Sequence, residues 1–371
     1  MNELDTVPED RLNPVNTQTW ANGRHLVRCV KVIQETHDVK TFCFMAQTPI
    51  MFFFKPGQFV TLELNIGGEQ VMRSYTISSS PSVPYSFSIT VKRLPKGVVS
   101  TWLHDNLRVD DEIAVHGPVG NFNCIDYSTD KALFLSGGVG ITPVMSMARW
   151  WYDTNSAVDM KFVHSAQTPK DIIFLKELEL MASRIDNFEL SIICERYDIG
   201  ESWYGYRGFL TKSLLELIAP DVLQREVYCC GPTPYMKAVR AMLADIGFDM
   251  SRYHEESFGE TPPAAIEDAE ESAELALIAE EIPQTGFCVE FADEGMSVTI
   301  NDSETIHAAS TKLGIHVPKA CGMGICGSCK VKLLSGNVNM EHNGGISEEE
   351  IEEGYILSCC SKPLDDVSIE T

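Results

Sequence analysis

Positive charge is scarce in this sequence: 29 Lys and Arg stand against 53 Asp and Glu, a formal net charge of −24. A field of that sign repels phosphate backbones and anionic lipid surfaces, which argues against nucleic-acid and membrane partners. Long hydrophobic runs are also missing, since none approaches the roughly 18 residues that span a bilayer. Residues 1–10 are acidic and carry neither the basic nor the apolar region of a signal peptide, so a cytoplasmic location is expected. Common hydrolase motifs are absent too. His254-Glu255 lacks the second histidine of an H-E-x-x-H zinc site, and no G-x-S-x-G elbow occurs. None of the nine histidines falls in a Cys-x-His pair, the ligand pattern of a Rieske centre. Cysteine, by contrast, is plentiful. Twelve of them in a chain without an export signal argue against a disulfide framework and for metal or redox chemistry.

The length of 371 residues predicts two or three domains. Residues 1–20 are polar and hold too little apolar material to join a core, which predicts a loosely ordered arm. From there to 128, short β-prone runs (26–33, 41–46, 58–64, 86–91, 112–116) alternate with Gly, Pro and Asn turns, the spacing of an antiparallel barrel or sandwich. Gly117-Pro118-Val119-Gly120 reads as the tight turn that ends it. Over 129–258 the pattern becomes strand then helix, repeated. A helix opened by Pro143 follows the first strand, and further units place strands at 160–164, 189–194 and 226–229 and helices at 171–182, 211–218 and 234–246. That alternation predicts a doubly wound parallel sheet. Residues 259–283 are rich in Ala, Pro and Glu without Lys or Arg, and read as an acidic linker. A third domain, 284–371, opens with a hairpin (286–292, 296–300) and a helix at 304–313 that Ser303 could cap.

In that last domain Cys321, Cys326 and Cys329, with Cys359 thirty residues on, have the C-x4-C-x2-C…C spacing of plant-type [2Fe–2S] ligation. Gly322, Gly324 and Gly327 let such a loop wrap closely around a cluster. Cys326 and Cys329 alone could be half of a zinc site, but a second C-x2-C pair is missing. Cys360 rivals Cys359 as fourth ligand, and the run Tyr355-Ile356-Leu357-Ser358-Cys359 favours Cys359.

In the first domain, Arg73-Ser74-Tyr75-Thr76 combines a cation, hydroxyls and a planar ring, the set a flavin nucleotide needs for its pyrophosphate, ring heteroatoms and isoalloxazine face. Gly97-Val98-Val99-Ser100 offers a glycine turn and a helix N-terminus, which presents free N–H groups to phosphate. In the second domain, Gly137-Gly138-Val139-Gly140-Ile141-Thr142-Pro143 is a strand-to-helix glycine turn that departs from G-x-G-x-x-G. Cys230-Gly231-Pro232 follows a strand and stands at the carboxyl edge of the sheet.

The order R-x-Y-[ST], G-x-x-S, G-P-x-G-x-F, G-G-x-G-[IVL]-[TA]-P, C-G-P resembles the ferredoxin–NADP reductase superfamily, and the cysteine loop fused behind it resembles an oxygenase reductase component. The resemblance covers roughly residues 20–371. It implies an antiparallel β-barrel FAD domain, a doubly wound α/β NAD domain and a β-grasp (α+β) ferredoxin domain. By the same resemblance Arg73 meets FAD phosphate, Tyr75 and Thr76 the flavin ring and ribityl, and Gly97 to Ser100 the pyrophosphate, with Ser74, Thr90, Val91 and Lys92 also at the cofactor. Gly138, Gly140, Thr142, Pro143, Cys230, Gly231 and Pro232 would hold the nicotinamide nucleotide. Tyr75, Cys230, Glu255 and Phe258 would stand at the reacting rings. Gln167 falls where NADPH binders place an arginine, which favours NADH, although Arg196 or Lys170 could supply a charge.

The expected activity is that of an NADH-dependent flavin/iron–sulfur reductase, with electrons leaving through the cluster to a partner Rieske-type oxygenase. The resemblance points to oxygenases that demethylate glycine betaine or a similar quaternary amine. NADH reductases of hybrid-cluster proteins share this module order, and a redox sensor or carrier with a vestigial NADH site is the reading outside enzymes. The acidic surface either steers the chain to a basic partner or reflects a high-salt medium.

Overall fold

The computed structural model describes residues 18–20, 23–48, 50–197, 202–258, 286–315, 317, 324, 327, 329–342 and 346–371. The expected arm and acidic linker lie outside these residues. The chain forms two compact units, Met1–Phe258 and Gly259–Thr371. No helix among the described residues is long and apolar enough to cross a membrane.

The first unit begins with six antiparallel strands: β1 (Gly23–Gln34), β2 (Val39–Ala46), β3 (Phe59–Ile66), β4 (Glu69–Thr76), β5 (Phe87–Lys92) and β6 (Glu112–Val119). Their spatial order is β4-β3-β6-β1-β2-β5, and the bridge Ile77–Ile89 brings the two edges together. Alternate residues point inward, so Val27, Phe42, Phe44, Val60, Leu62 and Ile89 fill the barrel. Helix α1 (Val98–Asn106) adds Val99 and Leu103 to this core. Each such side chain contributes about 1.5–3 kcal/mol on burial. The strand β4 is absent from the sequence reading above as a separate element. It returns along β3 through Gly67-Gly68, both at positive φ, the two-residue turn that glycine suits. The segment Gly117 to Gly120 is not a tight turn. β6 runs on to Val119 and pairs with β3 across a register shift, where Gly117 at φ +121 takes a conformation other residues rarely adopt.

A six-stranded sheet follows, every neighbouring pair parallel: β7 (Lys131–Gly137), β8 (Asp159–Ala166), β9 (Phe188–Cys194), β10 (Tyr206–Arg207), β11 (Glu226–Cys230) and β12 (Tyr253–Glu256). The order is β10-β9-β8-β7-β11-β12, so the chain reverses direction across the sheet between β7 and β11. Strand β7 shows the double winding residue by residue. Ala132 and Phe134 pack with helix α2 (Ile141–Asp153) and helix α3 (Leu175–Arg184). Leu133 and Leu135 pack with α4 (Lys212–Ile218) and α5 (Thr233–Asp245) on the other face. Helix α2 starts at Ile141 rather than Pro143. Proline sits within the first turn, where its missing N–H has no intrahelical acceptor to lose.

At the N-terminal edge of this sheet lies a buried guanidinium. Arg225 is 1% exposed, donates to Asp221 Oδ1 at 2.7 Å and Asp159 Oδ2 at 2.7 Å, and reaches the carbonyl oxygens of Ala132 and Asp159. The hydrogen bond from Arg225 holds the Asp221 carboxyl well below the usual range. The charge is compensated and its donors are used, the condition under which an ion survives burial.

The second unit is a five-stranded mixed sheet of β13 (Phe287–Phe291), β14 (Met296–Ile300), β15 (Lys330–Ser335), β17 (Tyr355–Leu357) and β19 (Val367–Glu370), in the order β14-β13-β19-β15-β17. A side pair joins β16 (Val338–Met340) to β18 (Ser361–Pro363). Helix α6 (Ile306–Leu313) lays Ile306 and Ala309 on a core of Val289, Phe291, Val331 and Ile369. Its N-cap is Thr305, whose hydroxyl accepts from Ala308 N, and not Ser303. The side chain of Asn301 holds Ser303 N in a turn ahead of the helix.

Candidate functional site

The reversal between β7 and β11 opens a crevice at the carboxyl ends of the strands, where ligands bind in open α/β sheets. Strand register brings Ser136, Cys230 and Glu256 side by side across β7, β11 and β12 at that edge. Gly140 fits under this edge so tightly that a Cβ would stand 2.3 Å from Cys230 O. Gly138, at φ +54, faces open space where no atom would meet a Cβ. One glycine locks the loop to the sheet and the other leaves room above it, a cradle that fits a nucleotide's pyrophosphate. Thr142 is buried and turns its hydroxyl to Val139 O at 3.1 Å, and Pro143 is buried beside it. Pro232 is exposed.

From the barrel, Thr76 at the end of β4 reaches Glu256 Oε2 at 3.5 Å. Glu256 is 7% exposed, and burial pushes its carboxyl up to about 8. Burial also pushes the Cys230 thiol well up, so both groups hold their protons in this dry corner. The expected neighbour Glu255 points elsewhere. Its carboxylate pairs with Arg240, accepts from the Tyr253 hydroxyl at 2.6 Å, and is held below the usual range by these bonds against the opposing effect of burial. Alternation along β12 is the reason, since adjacent residues face opposite sides of a strand. Glu256 is therefore the acid that sequence reasoning missed. Phe258 lies two residues on and is 38% exposed.

The flavin segment divides the same way. Arg73 and Tyr75 alternate with Ser74 and Thr76 along β4. Tyr75 packs against the barrel core, and burial raises its phenol. Ser74 shares a hydrogen bond with Thr61 at 2.9 Å. Gly97 precedes α1 with no side-chain cap, which leaves the first-turn N–H groups for phosphate, while Val98 is exposed and Val99 buried. The Ser100 hydroxyl accepts from Leu94 N at 3.2 Å and braces the loop. The side chains of the preceding strand are engaged within the protein. Thr90 bonds Ser78 and Thr41, Val91 is core, and Lys92 pairs with Asp38 at 3.2 Å. Their backbone is what they can offer a cofactor.

In the second unit, Cys329 and Cys359 are buried in one cluster with Ile346 and Leu357. Both the amide and the hydroxyl of Ser358 donate to Cys329 O at 3.0 Å, tying the two cysteine segments together. Cys321 and Cys326 lie outside the described residues. Gly324 and Gly327 have positive φ, and a Cβ on Gly324 would stand 2.6 Å from Cys360 Sγ. A tight thiol-bearing loop of this kind fits an iron–sulfur cluster.

Three family models match in the order that the geometry suggests: the oxidoreductase FAD-binding domain over 27–124, the oxidoreductase NAD-binding domain over 134–241, and the 2Fe-2S iron–sulfur cluster binding domain over 289–364. The chain belongs to the ferredoxin–NADP reductase-like FAD/NAD reductases with a C-terminal [2Fe–2S] domain. Among these reductases it is 68% identical to the glycine betaine monooxygenase reductase subunit of Pseudomonas aeruginosa, over 97% of this chain and 98% of that one. It is 44% identical to the stachydrine N-demethylase reductase subunit of Rhizobium meliloti, over 95% and 97%. The fold of this reductase matches that of phthalate dioxygenase reductase with a TM-score of 0.60 at 24% identity, covering 94% of this chain and 98% of that one.

Proposed function

We propose that this reductase supplies electrons to an oxygenase that demethylates glycine betaine, taking them from NADH in the cytoplasm. The observation that carries this reading is the 68% identity with a glycine betaine monooxygenase reductase subunit across nearly both whole chains. When bound, FAD supplies the exchange between two-electron and one-electron chemistry, and the cluster carries single electrons onward. The protein's own part is alignment and exclusion of water. The loop from Gly138 to Pro143 and Cys230-Gly231-Pro232 hold the nucleotide, and Arg73, Ser74, Tyr75, Thr76 and the start of α1 hold the flavin. Cys321, Cys326, Cys329 and Cys359 ligate the cluster. Glu256, protonated at neutral pH and in reach of Thr76, takes the place at the reacting rings expected of Glu255.

The FAD domain spans 21–128, the NAD domain 129–258 and the ferredoxin domain 284–371 in this reading, each range enclosing one family match. NADH is favoured over NADPH by Gln167, whose carbonyl accepts from Arg196 N at 3.0 Å at the end of β8, while Arg196 shares its charge with Glu195. An adenosine 2′-phosphate would meet in Arg196 a charge already shared with Glu195.

An anaerobic titration with NADH, followed by visible and EPR spectra, tests the path. Flavin bleaching together with a reduced-cluster signal is expected, with NADPH much slower. In the Cys326→Ser protein, transfer to one-electron protein acceptors should vanish while NADH–ferricyanide activity persists. Loss of both together would count against the modular scheme.

A further inference from the structure

Beside the Gly138 cradle, the crevice holds a side chain that no role above uses. Tyr235 stands in the first turn of α5, and its ring covers two glycines at the strand ends. A Cβ on Gly231 would stand 2.8 Å from its Cδ1, and one on Gly137 3.3 Å from its Cγ. Gly137 closes β7 and Gly231 follows β11, so the ring lies across the point where the sheet order reverses. Ser165 is laterally paired with Gly137 on β8. Its hydroxyl faces the phenol of Tyr235, yet neither oxygen completes a hydrogen bond of good geometry among the described residues. Both atoms are buried.

Two buried hydroxyls left short of partners cost free energy that the fold recovers only if something else satisfies them. Tyrosine is an odd choice for a lid over glycines if packing were its whole purpose, because phenylalanine would fill the same space without a hydroxyl to desolvate. Strand register sets Cys230 on β11, Ser136 and Gly137 on β7 and Ser165 on β8 in succession along this edge, and Gln167 stands two residues past Ser165. A dinucleotide stretched along that edge must pass its ribose and pyrophosphate oxygens over Gly137 and Gly231.

We propose that Tyr235 is a positioning residue for the nicotinamide nucleotide, its hydroxyl turning from Ser165 to donate to a ribose or pyrophosphate oxygen on binding. Ser165 then accepts or donates behind it and fixes the ring's angle. The inference deepens the nucleotide-site reading and rests on it. Because the contact is made equally before and during hydride transfer, it sets affinity and leaves the chemical step alone.

The test uses the FAD-loaded full chain with NAD+ as the binding probe, measured by calorimetry, alongside steady-state NADH kinetics with ferricyanide. Tyr235→Phe should weaken NAD+ binding and raise KM for NADH roughly tenfold, with kcat within about twofold. Its melting temperature should equal or exceed that of the parent, since an ill-partnered buried hydroxyl is gone. Ser165→Ala should show a smaller loss of the same kind. Binding of NAD+ to Tyr235→Phe within twofold of the parent would overturn the inference, as would a fall in kcat with KM unchanged. Parent protein that binds no NAD+ at all, with NADH also failing to bleach the flavin, would remove the nucleotide-site reading and this inference with it.

Discussion

The two edges of the parallel sheet are built from the same strands and treat polar groups in opposite ways. At the N-terminal edge Arg225 is surrounded by two carboxylates and two carbonyl oxygens, and every charge there has its counterpart. At the carboxyl edge Glu256 is buried with one long contact to Thr76, Cys230 is a protonated thiol in the dark, and the hydroxyls of Tyr235 and Ser165 are ill matched. The first edge is finished as folded. The second is incomplete in the way a binding site is before its ligand arrives, because buried polar groups without good partners persist only where function or another molecule compensates them.

That contrast can be broken most forcefully at the satisfied edge. Arg225→Ala takes a buried guanidinium from Asp159, from Asp221, which Lys131 still pairs at 2.8 Å, and from the carbonyl oxygens of Ala132 and Asp159, and should cost about 3–5 kcal/mol through the lost hydrogen bonds and packing. Thermal unfolding of the full chain would show it, and the surviving folded protein should still be reduced by NADH, since the carboxyl edge is untouched.

At the other edge the expected sign is reversed. Glu256 has a folded-state pKa of about 8 against about 4.5 when unfolded, so the folded chain holds a proton that the unfolded chain releases between those values. Stability should therefore fall as pH rises through that window, by roughly 5 kcal/mol. Glu256→Gln should flatten this part of the profile and gain stability above pH 8. A parent and variant with parallel melting curves from pH 5 to 8.5 would show that Glu256 is charged in the fold. Gly140→Ala tests the seam between loop and sheet, where the added methyl would press on Cys230 O, and a loss of about 1–3 kcal/mol together with slower flavin reduction is expected.

Much of this was legible in the residues. The [2Fe–2S] domain, the glycine turn at 137–140 and the alternation of strands with helices were readable because each rests on local periodicity or spacing. Strand β12 escaped because Tyr253-His254-Glu255-Glu256 looks like a solvated stretch. Its polarity is absorbed by partners far away in sequence, Glu226 for His254 and Arg240 for Glu255. The same blindness exchanged Glu255 for Glu256, since only strand register decides which of two adjacent carboxylates faces the crevice. Tyr235 carried no signal at all, because a tyrosine three residues after a C-G-P turn becomes informative only when the glycines beneath its ring are seen.

The burial of thiols has a practical consequence. Cys29, Cys124, Cys194 and Cys229 are all buried, and burial pushes their thiols up to between about 11 and about 12, while Cys230 is also buried and pushed well up. Thiolate is the species that peroxide and alkylating reagents attack, so these five positions are chemically quiet at neutral pH. Oxygen that intercepts electrons passing through a flavin and an iron–sulfur cluster is reduced to peroxide close to the protein. Keeping these sulfurs protonated and out of reach removes five potential sites of self-inflicted oxidative damage.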